Sequence, residues 1–260
     1  MLDRIIEHKR TEIEARKETC SLAQLERMAA SAPPARGFGV NLRRPGKVAV
    51  IAEIKRASPS KGPIKPDADP AEVARVYAAS GAAAISVLTD RRFFQGDPYF
   101  IGIVRREAGL PILRKDFIID PYQVYESKAL GADAMLLITR VLKQQELKEL
   151  LNLAQAIGME CLVEVHDEEE VERALDAGAK VIGINNRDLQ TFQTDIKITL
   201  RLRRLIPTEV AVVSESGISS AAAMRSLREN GVDAALIGEA LMAASNMGAK
   251  LQELVEAGSG

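Results

Sequence analysis

The amino-acid sequence predicts an α/β protein, a single (β/α)8 TIM barrel with an N-terminal helical extension. Short apolar runs alternate with segments of helical periodicity from residue 48 onward, and glycine stands at most joints where a helix leads into the next run. This alternation indicates parallel strands joined by right-handed crossovers. Eight strand–helix units within 260 residues are typical of one closed barrel. We therefore expect one domain, with residues 1–47 as the extension and residues 48–260 as the barrel.

The extension has the pattern of two amphipathic helices followed by a loop. Residues 2–17 place apolar side chains on one helical face, namely Leu2, Ile5, Ile6 and Ile13. Ser21 stands three residues before Gln24, the spacing of a capping box, and opens a second helix with the apolar residues Leu22, Leu25 and Met28. Two prolines end that helix. Residues 35–47, which are rich in glycine and proline, are expected to form a loop.

Eight short apolar runs predict the barrel strands. They start near Val48, Ala84, Pro111, Ala134, Glu160, Val181, Glu209 and Ala234. Six of the seven joints before strands carry a glycine, expected in the left-handed conformation that ends a helix: Gly81, Gly109, Gly131, Gly158, Gly178 and Gly231. A doubly wound open sheet is the alternative architecture, but no glycine-rich nucleotide fingerprint follows the first strand.

Composition narrows the class of partner. The formal net charge of −1 argues against a nucleic-acid-binding surface as the main role. No apolar run approaches the roughly 20 residues of a membrane span, and the charges near the N-terminus do not fit a signal peptide. Cys20 and Cys161 are expected to be reduced core thiols, and the two histidines provide no zinc-ligand spacing, so we predict no metal. We therefore expect a cytoplasmic protein that acts on a small molecule, with neither nucleic acid nor membrane as partner.

The first predicted strand carries charges where burial should exclude them. Glu53 and Lys55 follow an apolar run and, being two residues apart on a strand, point to the same side. Removing either charge from water is costly unless it is paired. We therefore expect a strand whose C-terminal end opens into a charged pocket, with an exposed edge strand as the alternative.

Polar side chains recur at the C-terminal ends of later strands, where barrels of this class carry their chemistry. The third strand ends with Lys115, the fifth with Glu164, and the sixth with Asn185 and Arg187. Alternate strands contribute side chains to the same interior layer, so Lys55, Lys115 and Glu164 are expected to face one another. This mixture of amine, acid and amide fits proton transfer at several points of one substrate, and a structural ion-pair network is the alternative.

The last two strand ends predict an anion site. The seventh strand leads into Ser216 and Gly217, and the eighth leads into Gly238 and Glu239. Backbone N–H groups at such turns bind phosphate, and the loops after strands seven and eight of this fold commonly do so. Ser58, from the neighbouring first strand, can add a hydroxyl group. Ordinary loop glycines are the alternative.

Other polar and aromatic residues have simpler explanations. His166 follows the fifth strand and is expected to make a local hydrogen bond. Phe93 and Phe94 form either a wall for an aromatic substrate or part of the rim packing. Residues 168–170 are three glutamates at a helix start, where they are expected to act as a solvated cap.

Five segments of the chain form a specific combination: IAEIKRASPSKG (51–62), LRKDF (113–117), LVEVH (162–166), GINNRDL (183–189) and SESGI (214–218). In this combination the chain resembles the indole-3-glycerol-phosphate synthase family of tryptophan biosynthesis, from the N-terminal helix to Met242. The resemblance implies a cofactor-free lyase. Its substrate would be 1-(2-carboxyphenylamino)-1-deoxyribulose 5-phosphate, and its products indole-3-glycerol phosphate, carbon dioxide and water.

The resemblance also implies residue roles. Lys115 resembles the general acid of ring closure, Lys55 positions the carboxylate that is lost, and Glu164 transfers protons during dehydration. Glu53 orients the lysines. The other implied residues are Asn185 and Ser216 in the catalytic group, Ser58, Phe94, Phe117, Arg187 and Glu215 as substrate contacts, and Ser58, Ser216, Gly217, Gly238 and Glu239 around the phosphate.

Two other function classes stay open at this point. One is a different phosphate-sugar enzyme on the same fold, such as an isomerase, and the other is a non-catalytic phosphate-binding barrel. Release of carbon dioxide separates the synthase from an isomerase, and a fluorescent indole product arises from the synthase alone. We expect a monomer or a weak homo-oligomer.

Overall fold

The structure is a computed structural model that describes residues 1–188 and 193–260. Leu189, the last residue of the fourth resembling segment, lies outside the described residues. The strands, in chain order, are β1 (Ala49–Ile54), β2 (Ala57–Ser58), β3 (Gly62–Pro63), β4 (Ala84–Leu88), β5 (Ile112–Lys115), β6 (Ala134–Ile138), β7 (Glu160–Val165), β8 (Val181–Asn185), β9 (Ala211–Glu215) and β10 (Ala234–Ile237).

Eight of these strands close into a parallel barrel. Their hydrogen-bonded order is β1-β10-β9-β8-β7-β6-β5-β4, and pairing of β4 with β1 completes the ring. Each barrel strand begins within two residues of its predicted start, so the prediction of a TIM barrel is confirmed. Strands β2 and β3 form a separate hairpin. Ser58 belongs to this hairpin rather than to the first barrel strand, which corrects its expected placement.

Helices alternate with the barrel strands and cover the outside of the sheet. Several begin at an aspartate whose side chain accepts a backbone N–H group of the first turn, as at Asp69, Asp120 and Asp167. None of the helices in the described part of the chain is long and apolar enough to cross a membrane. The helices are α1 (Leu2–Thr19), α2 (Leu22–Ser31), α3 (Phe38–Leu42), α4 (Pro70–Ala79), α5 (Arg91–Phe94), α6 (Tyr99–Glu107), α7 (Pro121–Leu130), α8 (Gln144–Ala156), α9 (Glu168–Asp176), α10 (Lys197–Leu202) with a following 3-10 turn (Arg203–Leu205), α11 (Ala221–Glu229), α12 (Glu239–Met242) and α13 (Met247–Ser259).

Left-handed glycines precede most of the barrel strands, as the sequence predicts. The glycines with positive φ at these joints are Gly81, Gly131, Gly158, Gly178 and Gly231. The prediction is wrong for Gly109, which lacks a positive φ. Helix α6 ends at Ala108 in extended backbone (φ −128°, ψ 134°), so the chain enters β5 without a left-handed residue.

The hydrophobic core has two layers separated by the strands. Ile51 and Leu113 belong to the layer inside the barrel, whereas Val50 and Ile112 belong to the layer between strands and helices. Neighbouring residues of one strand face opposite layers because side chains alternate along a strand. Both faces are therefore buried, which explains why the strands are apolar until their C-terminal ends.

A short helix closes the N-terminal end of the barrel. The loop expected for residues 35–47 is wrong at α3, where Phe38 and Leu42 lie four residues apart and pack, fully buried, on the interior layer. Backbone N–H groups of Phe38 and Gly39 donate to the Glu160 carboxylate at 2.6 and 2.9 Å. This carboxylate stabilises the start of α3. Such a short helix depends on tertiary contacts, so local sequence preference does not report it.

The two N-terminal helices pack beside α7, and the N-terminal helical extension is confirmed. The capping box at the start of α2 is also confirmed. Leu25 of α2 is buried near Ile13 of α1. The apolar stripe predicted for α2 is wrong at Leu22 and Met28, which are exposed. Contact with α7 therefore uses a narrower face of α2 than the sequence indicates.

Both cysteines are free thiols, but they occupy different environments. Cys161 is buried in β7, where burial raises the pKa of its thiol above the ordinary range. Cys20 is partly exposed at the end of α1, so its expected place in the core is wrong. The helix ends at this residue, which places its thiol near solvent.

Candidate active site

A cavity of about 560 Å³ opens at the C-terminal ends of the barrel strands. Barrel closure brings every residue that the sequence predicted for the site to the wall of this cavity. Ser58 reaches the cavity from the β2–β3 hairpin instead of the first barrel strand. The roles of all these residues stay predictions. The residues are Glu53, Lys55, Ser58, Phe94, Lys115, Phe117, Glu164, Asn185, Arg187, Glu215, Ser216, Gly217, Gly238 and Glu239.

Lys115, at the end of β5, lies between two buried carboxylates. Its Nζ is 3.3 Å from Oε2 of Glu164 and 3.3 Å from Oε2 of Glu215. Burial disfavours the ammonium charge, but attraction by Glu215, Glu164 and Glu53 outweighs it and raises the pKa of Lys115 above its ordinary value. Lys115 therefore carries a proton at neutral pH and is placed to donate it.

Lys55 has a different carboxylate partner. Its Nζ lies 2.8 Å from Oε1 of Glu53, a β1 residue that is 3% exposed. The hydroxyl group of Ser86 approaches Oε2 of the same glutamate at 3.5 Å. The contact of Glu53 with Lys55 agrees with the expectation that these side chains point the same way. Lys55 makes no direct contact with Glu164, whose ammonium partner is Lys115.

Glu164 on β7 is buried, and its neighbours hold it in the ionised form. Burial opposes the negative charge, but Lys115, His166 and a hydrogen bond from Asn185 outweigh burial and lower the pKa of Glu164. A carboxylate that stays deprotonated can accept a proton. The site therefore contains a proton donor and a proton acceptor in contact.

Glu215 on β9 is the second carboxylate beside Lys115. Burial raises its pKa to about 7, because desolvation and the charges of Glu164 and Glu53 outweigh the attraction of Lys115. Near neutral pH, Glu164 is thus anionic while Glu215 titrates. Titratable groups whose pKa values are pushed apart are typical of acid–base sites.

One side of the cavity is apolar. The rings of Phe94 and Phe117 lie 6.1 Å apart at an angle of 40°, and Leu2 and Ile5 bring α1 to the same cavity. Phe93 instead contacts His8 of α1 edge to face, with ring centroids 5.9 Å apart. Phe93 therefore packs at the rim, the second of the two expected alternatives. Phe94 presents a surface suited to the aromatic ring of a substrate.

The cavity lining also includes cations and tight backbone turns. Ser216 and Gly217 follow β9 with φ values of 68° and 77°. Arg187 and Lys61 lie 3.6 Å from the two carboxylate oxygens of Glu239. Backbone N–H groups and cations together suit an anionic ligand. The Glu239 carboxylate has the wrong charge for such a ligand, so its backbone N–H is the group suited to donate.

The surroundings of His166 correct the predicted solvated cap. Glu168 and Glu169 are exposed as expected, but Glu170 is buried. Its Oε2 accepts the backbone N–H of His166 at 2.8 Å and lies 3.0 Å from ring atom Nδ1. Asp167 supplies the side-chain cap of α9 instead. Glu170 is buried because its carboxylate contacts the backbone N–H group and the buried imidazole of His166.

A buried charge cluster anchors α1 next to the cavity, and the sequence analysis missed it. Lys9 is fully buried, and its Nζ lies 2.7 Å from Glu12, 2.9 Å from Asp116 and 3.2 Å from Asp90. Asp116 directly follows Lys115 in the chain. The cluster therefore ties the N-terminal helix to the strand end that carries the candidate acid.

A sequence signal for this cluster was present. Ile5, Lys9 and Ile13 repeat every four residues, so Lys9 lies on the helical face that the two isoleucines bury. A lysine on a buried face requires acidic partners. The partners Asp90 and Asp116 lie far along the chain, and periodicity alone cannot identify them.

The cavity combines an aromatic wall, two lysines with their carboxylate partners and a cationic turn region. Groups of these kinds are suited to general acid–base catalysis and to recognition of an anion. Among residues 1–188 and 193–260, no group of three or more His, Cys, Asp or Glu side chains could hold a metal ion.

Comparison with known proteins identifies relatives along nearly the whole chain. The family model of indole-3-glycerol phosphate synthase matches residues 2–254. The indole-3-glycerol phosphate synthase of Roseiflexus castenholzii is 50% identical over 262 residues, covering 98% of this chain and 97% of that protein. The corresponding protein of Carboxydothermus hydrogenoformans is 56% identical over 211 residues, covering 81% and 80%. Among solved structures, 3-hexulose-6-phosphate synthase from Salmonella typhimurium shares the fold, with a TM-score of 0.66, 14% identity, and coverage of 81% of this chain and 98% of that chain.

The fold and the side chains at its mouth define a TIM-barrel enzyme with an acid–base site. The relatives narrow this class of enzyme to one family, because half of the aligned positions are identical along almost the full length of the chain. The chain belongs to the indole-3-glycerol phosphate synthase family, the carboxy-lyases of tryptophan biosynthesis. The resemblance inferred from five short segments is thereby confirmed.

Proposed function

We propose that Lys115, Glu164, Lys55 and Glu53 perform the chemistry of the family reaction in this chain. That reaction converts 1-(2-carboxyphenylamino)-1-deoxyribulose 5-phosphate into indole-3-glycerol phosphate, carbon dioxide and water. The observation that carries the proposal is the contact of Lys115 Nζ with two buried carboxylates at 3.3 Å. Asn185 and Ser216 complete the proposed catalytic group at the same strand ends.

Ring closure joins the aromatic carbon that bears the carboxylate to the ketone carbon of the sugar chain. Negative charge develops on the ketone oxygen, and Lys115 donates a proton to it to form a hydroxyl group. The raised pKa of Lys115 keeps the proton available before the step. Proton transfer of this kind contributes roughly 10²- to 10⁴-fold in rate. Holding ring and ketone together contributes up to about 7–11 kcal/mol in favourable cases.

Decarboxylation follows at the ring carbon that has just formed the new bond. The bond to the carboxylate breaks, its electron pair returns to the ring system, and carbon dioxide leaves. Lys55 binds the carboxylate before this step, and Glu53 orients Lys55 at 2.8 Å. Phe94 and Phe117 support the aromatic ring. Their apolar surface excludes water from the reacting carbon.

Dehydration removes the new hydroxyl group together with a proton from the adjacent carbon. We assign this proton transfer to Glu164, whose lowered pKa keeps it ready to accept. Lys55 is the second group proposed to take part, and it donates a proton to the departing hydroxyl group. The C–O bond breaks and water leaves as the double bond of the indole ring forms. Asn185, Arg187 and Glu215 are proposed to hold polar groups of the substrate during these steps.

The substrate phosphate is proposed to bind at the turns after β9 and β10. Backbone N–H groups at Ser216, Gly217, Gly238 and Glu239 act as donors, and Ser58 adds its hydroxyl group. All five residues line the same cavity as Phe94 and Phe117. The cavity can therefore hold the phosphate and the aromatic ring of one substrate molecule.

Purified protein mixed with the anthranilate-derived substrate tests the whole proposal. We expect indole fluorescence to rise together with release of one equivalent of carbon dioxide. Binding of the substrate without either signal would contradict catalysis and leave a phosphate-binding barrel. Conversion of the sugar chain without carbon dioxide would identify an isomerase.

Replacing Gly217 by Val is expected to weaken phosphate binding. Gly217 has a φ of +77°, and a Cβ there would lie 2.9 Å from the side chain of Thr194. The substitution distorts the turn, so we expect KM to rise about 10-fold, which corresponds to about 1.4 kcal/mol. Inhibition by inorganic phosphate should weaken in parallel.

Gly46→Val is the matched control for the phosphate turn. Gly46 has a similar φ of +71°, and a Cβ there would meet nothing within 4 Å. We expect this variant to retain the KM of the unmodified protein. An equal rise in KM for both variants would show that general strain, rather than the turn, causes the effect.

Gly183 leaves the space that Glu215 occupies, so Gly183→Ala is expected to impair turnover. A Cβ at this β8 position would collide with the Glu215 carboxylate. Displacement of that carboxylate should lower kcat by roughly 10- to 100-fold, and overpacking should lower the free energy of unfolding by about 1–3 kcal/mol. Gly109→Ala, where a Cβ would meet nothing within 4 Å, should change neither quantity. Full activity of Gly183→Ala would contradict the need for Glu215 in its observed position.

We further propose that residues 1–260 act as one domain, a monomer or weak homo-oligomer in the cytoplasm, without nucleic acid as partner. The net charge of −1 supports the last point. The burial of Lys9 of α1 among barrel carboxylates supports a single unit. Sedimentation of the purified protein over a range of concentrations tests the oligomeric state, and a tight stable oligomer would contradict it.

A further inference from the structure

We propose that His166 is a positioning residue that keeps Glu164 ionised and aimed into the cavity. The inference rests on the proposed role of Glu164 as the proton acceptor of dehydration. His166 directly follows β7, two residues beyond Glu164, and the cavity lining includes Glu164 but not His166. Its proposed effect on the substrate therefore passes through Glu164.

The two ring nitrogens of His166 face two different carboxylates. Nδ1 lies 3.0 Å from Oε2 of Glu170, and Nε2 lies 3.4 Å from Oε1 of Glu164. The imidazole side chain is only 6% exposed, so water competes little with either contact. A buried ring between two acids links α9 to the end of β7.

This arrangement favours the doubly protonated ring. A neutral imidazole has one N–H donor and one lone pair, so a ring that donates through Nδ1 to Glu170 would turn the Nε2 lone pair toward Glu164. Two electron-rich atoms would then face each other. Protonation at Nε2 converts this repulsion into attraction, because both nitrogens become donors.

The charged groups around His166 support the same conclusion. Glu164 faces it from β7 and Glu170 from α9, while Arg140, from the segment after β6, contacts Glu170 at 2.7 Å and Asp167 at 3.2 Å. Burial and Arg140 oppose the imidazolium charge, but the two glutamates outweigh them and raise the pKa of His166. The network alternates in charge from Arg140 to Lys115.

The positive charge of the His166 ring determines the direction in which it shifts the pKa of Glu164. An opposite charge within about 4–6 Å lowers the pKa of a carboxyl group by roughly 1–3 units. Imidazole, with an ordinary pKa near 6.5, is already protonated in the range near pH 4 where glutamate titrates. His166 therefore extends the ionised state of Glu164 to lower pH. Glu215 titrates near pH 7, so the part of kcat/KM that falls off below this titration is the acidic limb that reports Glu164.

The test compares the pH dependence of kcat/KM for indole formation among four variants and the unmodified protein. His166→Gln keeps a neutral donor near the position of Nε2 and removes the charge, so we expect its acidic limb to move up by roughly one pH unit. At neutral and alkaline pH the profile of His166→Gln should keep the shape of the unmodified profile, because Lys115 retains its proton there. His8→Gln, which changes the other histidine of the chain, is the control and should leave the acidic limb in place.

Glu170→Gln provides an independent variant with an intact imidazole. Without the Glu170 charge the imidazole is still protonated near pH 4, because its ordinary pKa lies near 6.5, so the acidic limb of Glu170→Gln should stay close to that of the unmodified protein. The double variant should equal His166→Gln alone, because only the charge of the ring acts on Glu164. An acidic limb that moves in Glu170→Gln as far as in His166→Gln would overturn the proposal, since the ring would then not be the group that holds Glu164 ionised.

Failure of this inference is distinct from failure of the proposed function. An unmodified protein that forms no indole product contradicts the function itself. A protein that is active, but whose acidic limb is the same in His166→Gln, overturns the role of His166 and leaves the function intact. Loss of activity at all pH values, with no displaced limb, assigns His166 a structural role and also overturns the proposal.

Discussion

Lys115→Ala is expected to abolish turnover and leave substrate binding nearly intact. The lysine is the proton donor of ring closure in our proposal, and no other ammonium group contacts both Glu164 and Glu215 among the described residues. Its loss should lower kcat by about 10⁴-fold, the upper range for one positioned proton donor. The substrate dissociation constant should change less than about 10-fold, because phosphate and ring contacts remain. Single-turnover indole fluorescence and equilibrium binding measure the two effects.

The control for this substitution is Lys180→Ala, at an exposed lysine just before β8, at the N-terminal end of the barrel. Its kinetics should match those of the unmodified protein. Near-ultraviolet circular dichroism should show a folded Lys115→Ala, since Glu215 can take up a proton when its cationic neighbour is removed. Steady-state activity near the normal value would refute the assignment of Lys115 as general acid.

Lys9→Met is expected to cause the largest loss of stability. The substitution leaves Asp90 and Asp116 buried without the ammonium group that now lies 3.2 and 2.9 Å from them. Breaking a buried ion pair in this way typically costs about 3–5 kcal/mol. Urea unfolding at pH 7 measures the change in free energy. Lys17→Met removes a more exposed lysine from Asp120, 2.9 Å away, and should cost less than about 1 kcal/mol.

The difference in unfolding free energy between the unmodified protein and Lys9→Met should depend on pH. Burial opposes the charge of Asp116, but Lys9 and Arg114 outweigh it and hold its pKa well below the ordinary range. A depressed carboxyl pKa contributes stability that is fully present above the unfolded value, near 3.9, and is lost as the pH falls through the folded value. The advantage of the unmodified protein over Lys9→Met should therefore narrow in strong acid. An advantage that grows in acid would contradict the ion-pair explanation.

Local patterns in the sequence were sufficient to predict the barrel and the polar residues at the C-terminal ends of its strands. Strand burial on both faces excludes charge, so Glu53, Lys115 and Glu164 were conspicuous at the ends of apolar runs. The fold then gathers all such ends at one opening. The spacing of Glu53 and Lys55 also predicted their contact. The contact of Lys115 with Glu215 was less predictable, because it depends on side-chain positions across the barrel.

Long-range partners explain what the sequence analysis missed. Phe38 and Leu42 form a helix because the barrel interior and Glu160 receive them, and both partners lie far along the chain. Glu170 resembled a solvated cap because its neighbours are glutamates, yet the imidazole of His166 draws it inward. Tertiary contacts overrode the local preference in each case.

Phe38 and Leu42 fill the barrel interior at its N-terminal end, whereas the cavity at the C-terminal ends of the strands is lined by Leu2 and Ile5 of α1 as well. Substrate and indole product are proposed to bind in this one cavity, so each excludes the other. Added indole-3-glycerol phosphate should therefore inhibit competitively with respect to the substrate.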